Sequence, residues 1–432
     1  MTAASTVTRR GWCPGVRRPM ATGDGLLVRL HCLGGRLPAD QARLVADAAR
    51  RFGNGHLDIT GRGNLQLRGV RDETYPKLRA LLDREGLVEP EGDGPTHPTA
   101  TSPLAGIDPD DCFDTLALAQ VVEDTARGID GLPAKVFIAV DGGGSMPLDA
   151  IGADLHLLAQ DDGDAAAVGV ASPEGPEWIG ATDLSRVPEA VAAILSGYAG
   201  MITAGRTKAR RLRHLERSLV RELADAAALG PASSPGARPS SPRAGIVDAH
   251  GGKALLLALP FGRCGSAQLE QVAAWSERFG TGEIRLSFTR GILLPGIAVT
   301  SLDAILDEAR RSGFITDAGD PRLSLLACPG KPDCASALTP APADALRIAG
   351  ACGHLLAEGA TLHVSGCRKG CAHPGRADLT LAARGDGRYD VIPNASTQDA
   401  ACLHLSIDDL MTRLLPLRTL DDLRHALAEN AR

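Results

Sequence analysis

Twice along the chain, a run of alternating apolar and polar positions gives way to apolar residues spaced three and four apart, then returns to alternation. Residues 25–70 read GLLVRLHCLGGRLPADQARLVADAARRFGNGHLDITGRGNLQLRGV, and residues 253–297 read KALLLALPFGRCGSAQLEQVAAWSERFGTGEIRLSFTRGILLPGI. Each stretch predicts a short strand, a Gly-containing turn, an amphipathic helix, an alternating strand, an Arg-Gly turn and a further strand. Phe52, Gly53, Gly55, Gly69 and Val70 map without gaps onto Phe279, Gly280, Gly282, Gly296 and Ile297, with the Arg-Gly turns offset by one position. A common strand–helix–strand rhythm explains the periodicity but not the shared R-F-G-x-G, so the pattern reads as an internal repeat.

Between the two stretches the pattern predicts a helix over 112–127, strands over 132–143, 154–160 and 165–171, and two further helices, VPEAVAAILSGYAG and the basic segment Gly205–Asp225. Residues 230–245, GPASSPGARPSSPRAG, carry no apolar period and predict a flexible linker between two related halves. Beyond the second stretch, SLDAILDEARRSGF and PADALRIAGACGHLLAEG predict helices. RLSLLACPG and TLHVSGCRKGC predict strands that run into cysteine-bearing loops, and ADLTLAARGDGRYDVIP with a helix starting near Ser406 completes the unit.

Composition narrows the function classes. At 432 residues and 44% hydrophobic, the chain has core enough for several domains. A net charge of −6 gives no support for general nucleic-acid binding. The opening MTAASTVTRRGWCPGVRRP has no apolar core of the secretory type, and no run of 18 apolar residues predicts a membrane span. Ten cysteines are too dilute for a disulfide scaffold, which points to the reducing cytoplasm, where clustered thiols are more often metal ligands.

Four of those cysteines stand in two pairs, Cys328-Pro-Gly-Lys-Pro-Asp-Cys334 and Cys367-Arg-Lys-Gly-Cys371. Soft sulfur ligands select an iron–sulfur cluster or zinc. Five residues then three between the thiols differ from the two-residue spacing of zinc knuckles, and suggest two loops closing on one cluster. Gly330, Gly366 and Gly370 would keep the loops tight, and Lys331, Arg368 and Lys369 would raise a cluster's potential, solvation being their plainer role. Cys32, Cys112, Cys264, Cys352 and Cys402 read as core residues, and Cys13 as a core or pocket residue.

The C-x5-C and C-x3-C pairs, with the two halves, resemble the sulfite/nitrite reductase superfamily over nearly the whole chain. Within it, GWCPGVRRPMATGDGLLVRL (11–30) is most similar to the precorrin-3B synthases of aerobic cobalamin biosynthesis. The resemblance implies an α+β fold of two related halves, each a ferredoxin-like repeat plus an α/β haemoprotein-type module. The expected units are a first repeat over 15–90, its module over 100–228, the linker over 229–244, a second repeat over 245–312 and a cluster-binding module over 320–432. It implies a [4Fe–4S] cluster on Cys328, Cys334, Cys367 and Cys371. It also implies an NADH- and O2-dependent monooxygenase that hydroxylates precorrin-3A at C20 and closes a γ-lactone. The alternative is a sirohaem-dependent sulfite or nitrite reductase, and a non-enzymatic iron–sulfur or zinc assembly protein is a third reading.

Site residues carry over one by one. Thr60-Gly-Arg62-Gly-Asn64-Leu-Gln66 resembles the T-x-R-x-x-x-Q turn that faces sirohaem and substrate in the reductases. Lys135 matches the first lysine of their L-P-R-K-F-K segment, while Phe137 stands where the second is expected; His97 stands where an active-site arginine is expected. Arg62, Lys135 and His97 are the expected catalytic residues, with Arg17, Arg18, Arg29, Arg68 and Arg206 as further cations for a substrate rich in carboxylates. Gln66, between Leu65 and Leu67, contacts the macrocycle or faces water. A mononuclear iron that activates dioxygen would draw on His97, His363 or His373. No G-x-G-x-x-G follows a strand, so NADH electrons are expected through a separate reductase.

Overall fold

The computed structural model describes residues 12–92, 94–160, 163–172, 175–231, 235–419 and 421–423; the reading of the first eleven residues lies outside them. The first repeat contains β1 (Met20–Thr22), β2 (Gly25–Leu30), β3 (Arg36–Pro38), α1 (Ala39–Phe52), β4 (His56–Ile59), β5 (Leu65–Val70) and α2 (Tyr75–Arg84). Its module follows with β6 (Thr99–Ala100), α3 (Thr115–Arg127), β7 (Ile138–Asp141), β8 (Leu155–Gln160), β9 (Ala165–Ser172), β10 (Gly175–Asp183), α4 (Val187–Thr203) and α5 (Arg217–Ala226). The second repeat holds β11 (Gly245–Ala249), β12 (Gly252–Ala258), β13 (Arg263–Gly265), α6 (Ser266–Phe279), β14 (Glu283–Leu286), β15 (Gly291–Ile297) and α7 (Leu302–Arg311). The last module holds β16 (Leu325–Ala327), α8 (Ala341–Ala357), β17 (Leu362–Ser365), β18 (Ala377–Ala383), β19 (Tyr389–Ala395), β20 (Leu403–Leu405) and α9 (Ile407–Leu414).

The two repeats interlock. One sheet runs β1-β2-β5-β4-β13 and the other β11-β12-β15-β14-β3, so each repeat lends a three-residue strand to the other's sheet. Leu37 pairs with Ile284, and Leu57 with Cys264, and all four are buried in one core that runs through both repeats. α1 faces α6, and Arg43–Glu277 and Arg50–Glu270 pair across them at 2.5 and 2.7 Å. The shared glycines have a physical reason. Gly69 and Gly296 both lie in the left-handed region, at φ 64° and 73°, and a Cβ would come within 2.6 Å of the Asn54 side chain or 2.5 Å of Thr281.

Each module is a five-stranded mixed sheet, β10-β9-β8-β7-β6 or β16-β17-β18-β19-β20, with its own helical core. The basic segment Gly205–Asp225, expected as one helix, is helical at α5 but opens N-terminal to it around a short 3-10 turn at Leu212–His214. Arg211 is drawn to the buried Asp154, and the Ala209 carbonyl accepts from Tyr198, contacts that a continuous helix would break. Residues 235–245 run along the first module, where Arg238 pairs with Asp141 and Asp149, at 2.8 and 2.6 Å. Part of the expected fold class is overturned: among the described residues no side-chain group is set to hold a metal, so the last module is an α/β unit without a supported cluster site.

Candidate functional site

The Arg-Gly turns of the two repeats, between β4 and β5 and between β14 and β15, abut each other. A Cβ on Gly63 would lie 3.0 Å from the Leu286 carbonyl oxygen, and one on Gly61 would lie 3.8 Å from the Arg290 guanidinium. From this junction Arg62 reaches toward the first module and Arg290 toward the last, where Arg290 Nη2 donates to the Ala372 carbonyl at 3.0 Å. On the first side a cleft opens between the repeats and the module, enclosing about 380 Å3 counting its mouth. His31, Arg62, Asn64, His97, Glu123 and Phe288 are among its lining residues.

Arg62 is held in the turn by two hydrogen bonds from backbone N–H groups, those of Arg62 and Asn64, to Thr60 Oγ1, each 3.2 Å. Its Cζ lies 3.9 Å above the Phe137 ring. Burial pushes its pKa down to about 10, with Arg211 and Arg29 adding to the fall and Cys13 opposing it. Asp154 is within electrostatic reach but already takes Arg211 Nε at 2.9 Å and the Phe137 N–H at 3.1 Å. Arg29, beside it, is also lowered by burial, and its Nε and Nη2 donate to the amide oxygen of Gln66 at 3.0 and 2.7 Å. Gln66 is therefore buried against Arg29 rather than facing water. Among the described residues no carboxylate makes a salt bridge to Arg29 or Arg62. Half-buried guanidinium groups without an acid partner are costly, and an anionic ligand offsets that cost.

His97 enters from the loop before β6. Its Nδ1 is 2.8 Å from Glu123 Oε1 on α3, and the Thr99 hydroxyl donates to Glu123 Oε2 at 2.7 Å. His31, at the end of β2, stacks on His97 with centroids 5.1 Å apart. Sequence reasoning passed over His31 and Glu123. The available signal for His31 was an imidazole directly after an apolar strand and ahead of Gly34-Gly35; Glu123 gave none, being one acid of an amphipathic helix.

The other expected residues are dispersed. Lys135 lies in the Pro133–Val136 turn leading to β7 and does not line the cleft. Arg17 is tied to Glu89 and Glu91, Arg18 lies over Trp12, and Arg206 pairs with Glu222 on the surface. Arg68, 3% exposed, joins Asp24 and the Asp333 carbonyl, which anchors the first repeat to the first cysteine loop.

Cys328, Cys334, Cys367 and Cys371 do approach one another: burial raises the Cys367 thiol and pushes Cys371 up to about 11, with the neighbouring cysteines adding to both. Yet among the described residues no group of three or more His, Cys, Asp or Glu side chains could hold a metal ion. The expected [4Fe–4S] cluster on these four cysteines is thus overturned. The same finding withdraws zinc here and a mononuclear iron at His97, His363 or His373, and leaves the sirohaem of the alternative unsupported. His363 is instead a buried ring edge-on to His373 at 5.8 Å, and burial lowers it to about 4.

The model of the nitrite/sulfite reductase ferredoxin-like half domain matches residues 18–85 and 247–312, the two interlocked repeats. The chain is 31% identical over 405 residues to a precorrin-3B synthase of Sinorhizobium sp, covering 90% of this chain and 83% of that one. It is 28% identical over 414 residues to a ferredoxin–nitrite reductase of Synechococcus elongatus, covering 84% and 77%. The solved structure of the Mycobacterium tuberculosis NirA protein superposes with a TM-score of 0.73 at 21% identity, covering 90% of this chain and 79% of that one, a likeness of fold.

Proposed function

Because the chain belongs to the nitrite/sulfite reductase superfamily, and is an oxidoreductase of that redox and tetrapyrrole-handling lineage, we propose that its cleft takes an anionic tetrapyrrole as substrate. The specific reading is precorrin-3B synthase: hydroxylation of precorrin-3A at C20 by dioxygen, with closure of a γ-lactone and electrons from a separate NADH-linked reductase. The observation that carries it is Arg62, a half-buried guanidinium that lines the cleft without a salt bridge to a carboxylate, with Arg29 behind it held by Gln66. A macrocycle is larger than the cleft interior, so its ring would lie across the mouth with its acetate and propionate groups reaching inward. Arg62, steadied on the Phe137 face, would take a carboxylate bidentately, fixing the ring's orientation.

The second reading is reduction of nitrite or sulfite. Most of the named relatives are ferredoxin–nitrite reductases, and taken together the comparisons lean this way. Against that lean stand the synthase relative, at 31% identity, and the residues around Arg62. Phe137 is a ring where a second lysine was expected, and His97 is committed to Glu123. A small oxyanion is better served by convergent cations. The test is to supply the purified protein with a chemical reductant and offer precorrin-3A with dioxygen, or nitrite, or sulfite. Turnover of precorrin-3A supports the synthase; turnover of nitrite or sulfite with none of precorrin-3A supports the reductase.

A further inference from the structure

His31 and His97 come from different units of the fold, yet their planes are inclined by 21°. Glu123, 3% exposed and also 3.6 Å from Arg127, holds His97 through Nδ1. That contact makes His97 Nδ1 a donor and fixes its ring. His31 has no such anchor: its Nδ1 is buried and has no hydrogen-bond partner among the described residues. The groups facing His31 are Arg29, Arg62 and His97, with Cys13 beside both arginines. Burial first, then these three groups, keep its ring neutral. A neutral imidazole has one N–H and one lone pair. Surrounded by cations, the buried nitrogen favours the lone pair, which then lacks a donor.

We propose that His31 is a specificity-determining residue whose buried Nδ1 accepts a hydrogen bond from an N–H or O–H of the cleft's occupant, with the Glu123–His97 pair as the positioning element stacked against it. This deepens the reading above and rests on the cleft being the substrate site. It adds a requirement: the occupant must present a donor beside its anionic groups. A tetrapyrrole with pyrrole N–H groups meets it, whereas nitrite offers lone pairs alone. A buried acceptor left unpaired is destabilising, so the ligand-free protein should tolerate its removal.

The test compares the full-length protein with His31→Phe, His31→Gln and Glu123→Gln. Binding of uroporphyrin, a metal-free polycarboxylate tetrapyrrole, is followed by fluorescence, stability by thermal unfolding, and the histidine rings by isotope-edited NMR across pH. The expected result is about a ten-fold or greater loss of affinity in His31→Phe, partial rescue in His31→Gln, and a melting temperature no lower than that of the parent. His31 should stay neutral between about pH 5 and pH 8, and Glu123→Gln should alter the His97 Nδ1 resonance, which loses its carboxylate acceptor. If uroporphyrin fails to bind even the parent protein, the tetrapyrrole reading fails; a neutral His31 and an undiminished His31→Phe stability would still uphold the buried acceptor. Unchanged affinity in His31→Phe, a His31 ring that charges within that range, or a marked loss of stability in His31→Phe, as a resident water partner would cause, overturns the proposal.

Discussion

The guanidinium of Arg62 lies 3.9 Å above the ring of Phe137, a cation resting on an aromatic face from another unit of the fold. Such contacts are worth about 0.5–2 kcal/mol. Phe137→Leu keeps an apolar core residue but removes the face, so macrocycle affinity should fall by roughly three- to thirty-fold. Arg62→Ala should cost more. A fluorescence titration with a carboxylated porphyrin checks both, and unchanged affinity in Arg62→Ala would remove this residue from the site.

Tyr389 anchors the last module from within. Its hydroxyl meets Thr339 Oγ1 and Asp344 Oδ2, each at 2.6 Å, and Asp344 is 7% exposed. Tyr389→Phe leaves that carboxylate short of a donor. The expected loss is about 1–3 kcal/mol, read as a lower urea midpoint.

Asp111 supplies a pH signature. Burial, reinforced by Asp108 and Asp141, raises it from 3.8 to about 6. A carboxyl with a raised folded-state pKa favours the fold fully below its unfolded value, and that contribution is lost as pH rises through about 6. Stability should therefore decline across this window in the parent, and Asp111→Asn, which cannot ionise, should flatten the decline. Thermal melts at about pH 4 and about pH 7 measure it; equal slopes in the two proteins would contradict it.

The exchange of β3 and β13 predicts interdependent halves. Leu37 and Cys264 are fully buried, each on a strand paired with the other repeat. Chains ending or starting near residue 234 should each expose apolar surface and aggregate when made alone. Made together, they should associate and co-purify. A monomeric, cooperatively melting N-terminal half would refute this.

The repeat was legible because both copies face the same constraints: Phe52 and Phe279 close equivalent helices, and Gly69 and Gly296 occupy left-handed positions where any side chain would strike a neighbour. The exchange was not. β3 and β13 have three residues each, too short for a period, and their partners lie over 200 positions away. Arg62 was legible as a cation on a tight turn, but its lack of a salt bridge was not, since that depends on Arg211 claiming Asp154. Helical periodicity over Gly205–Asp225 was outweighed by the same contact. Cysteine spacing overreached: it brought the four thiols near one another but did not secure a ligand set.

The central claim is that the tetrapyrrole is substrate in the cleft lined by Arg62. The most direct measurement is mass spectrometry of precorrin-3A after incubation with the protein, a reductant and isotopically labelled dioxygen. The account predicts a product that has gained one oxygen atom carrying the label, and its near-complete loss in Arg62→Ala. Recovery of unaltered precorrin-3A, from a preparation that reduces nitrite or sulfite under the same reductant, would contradict it.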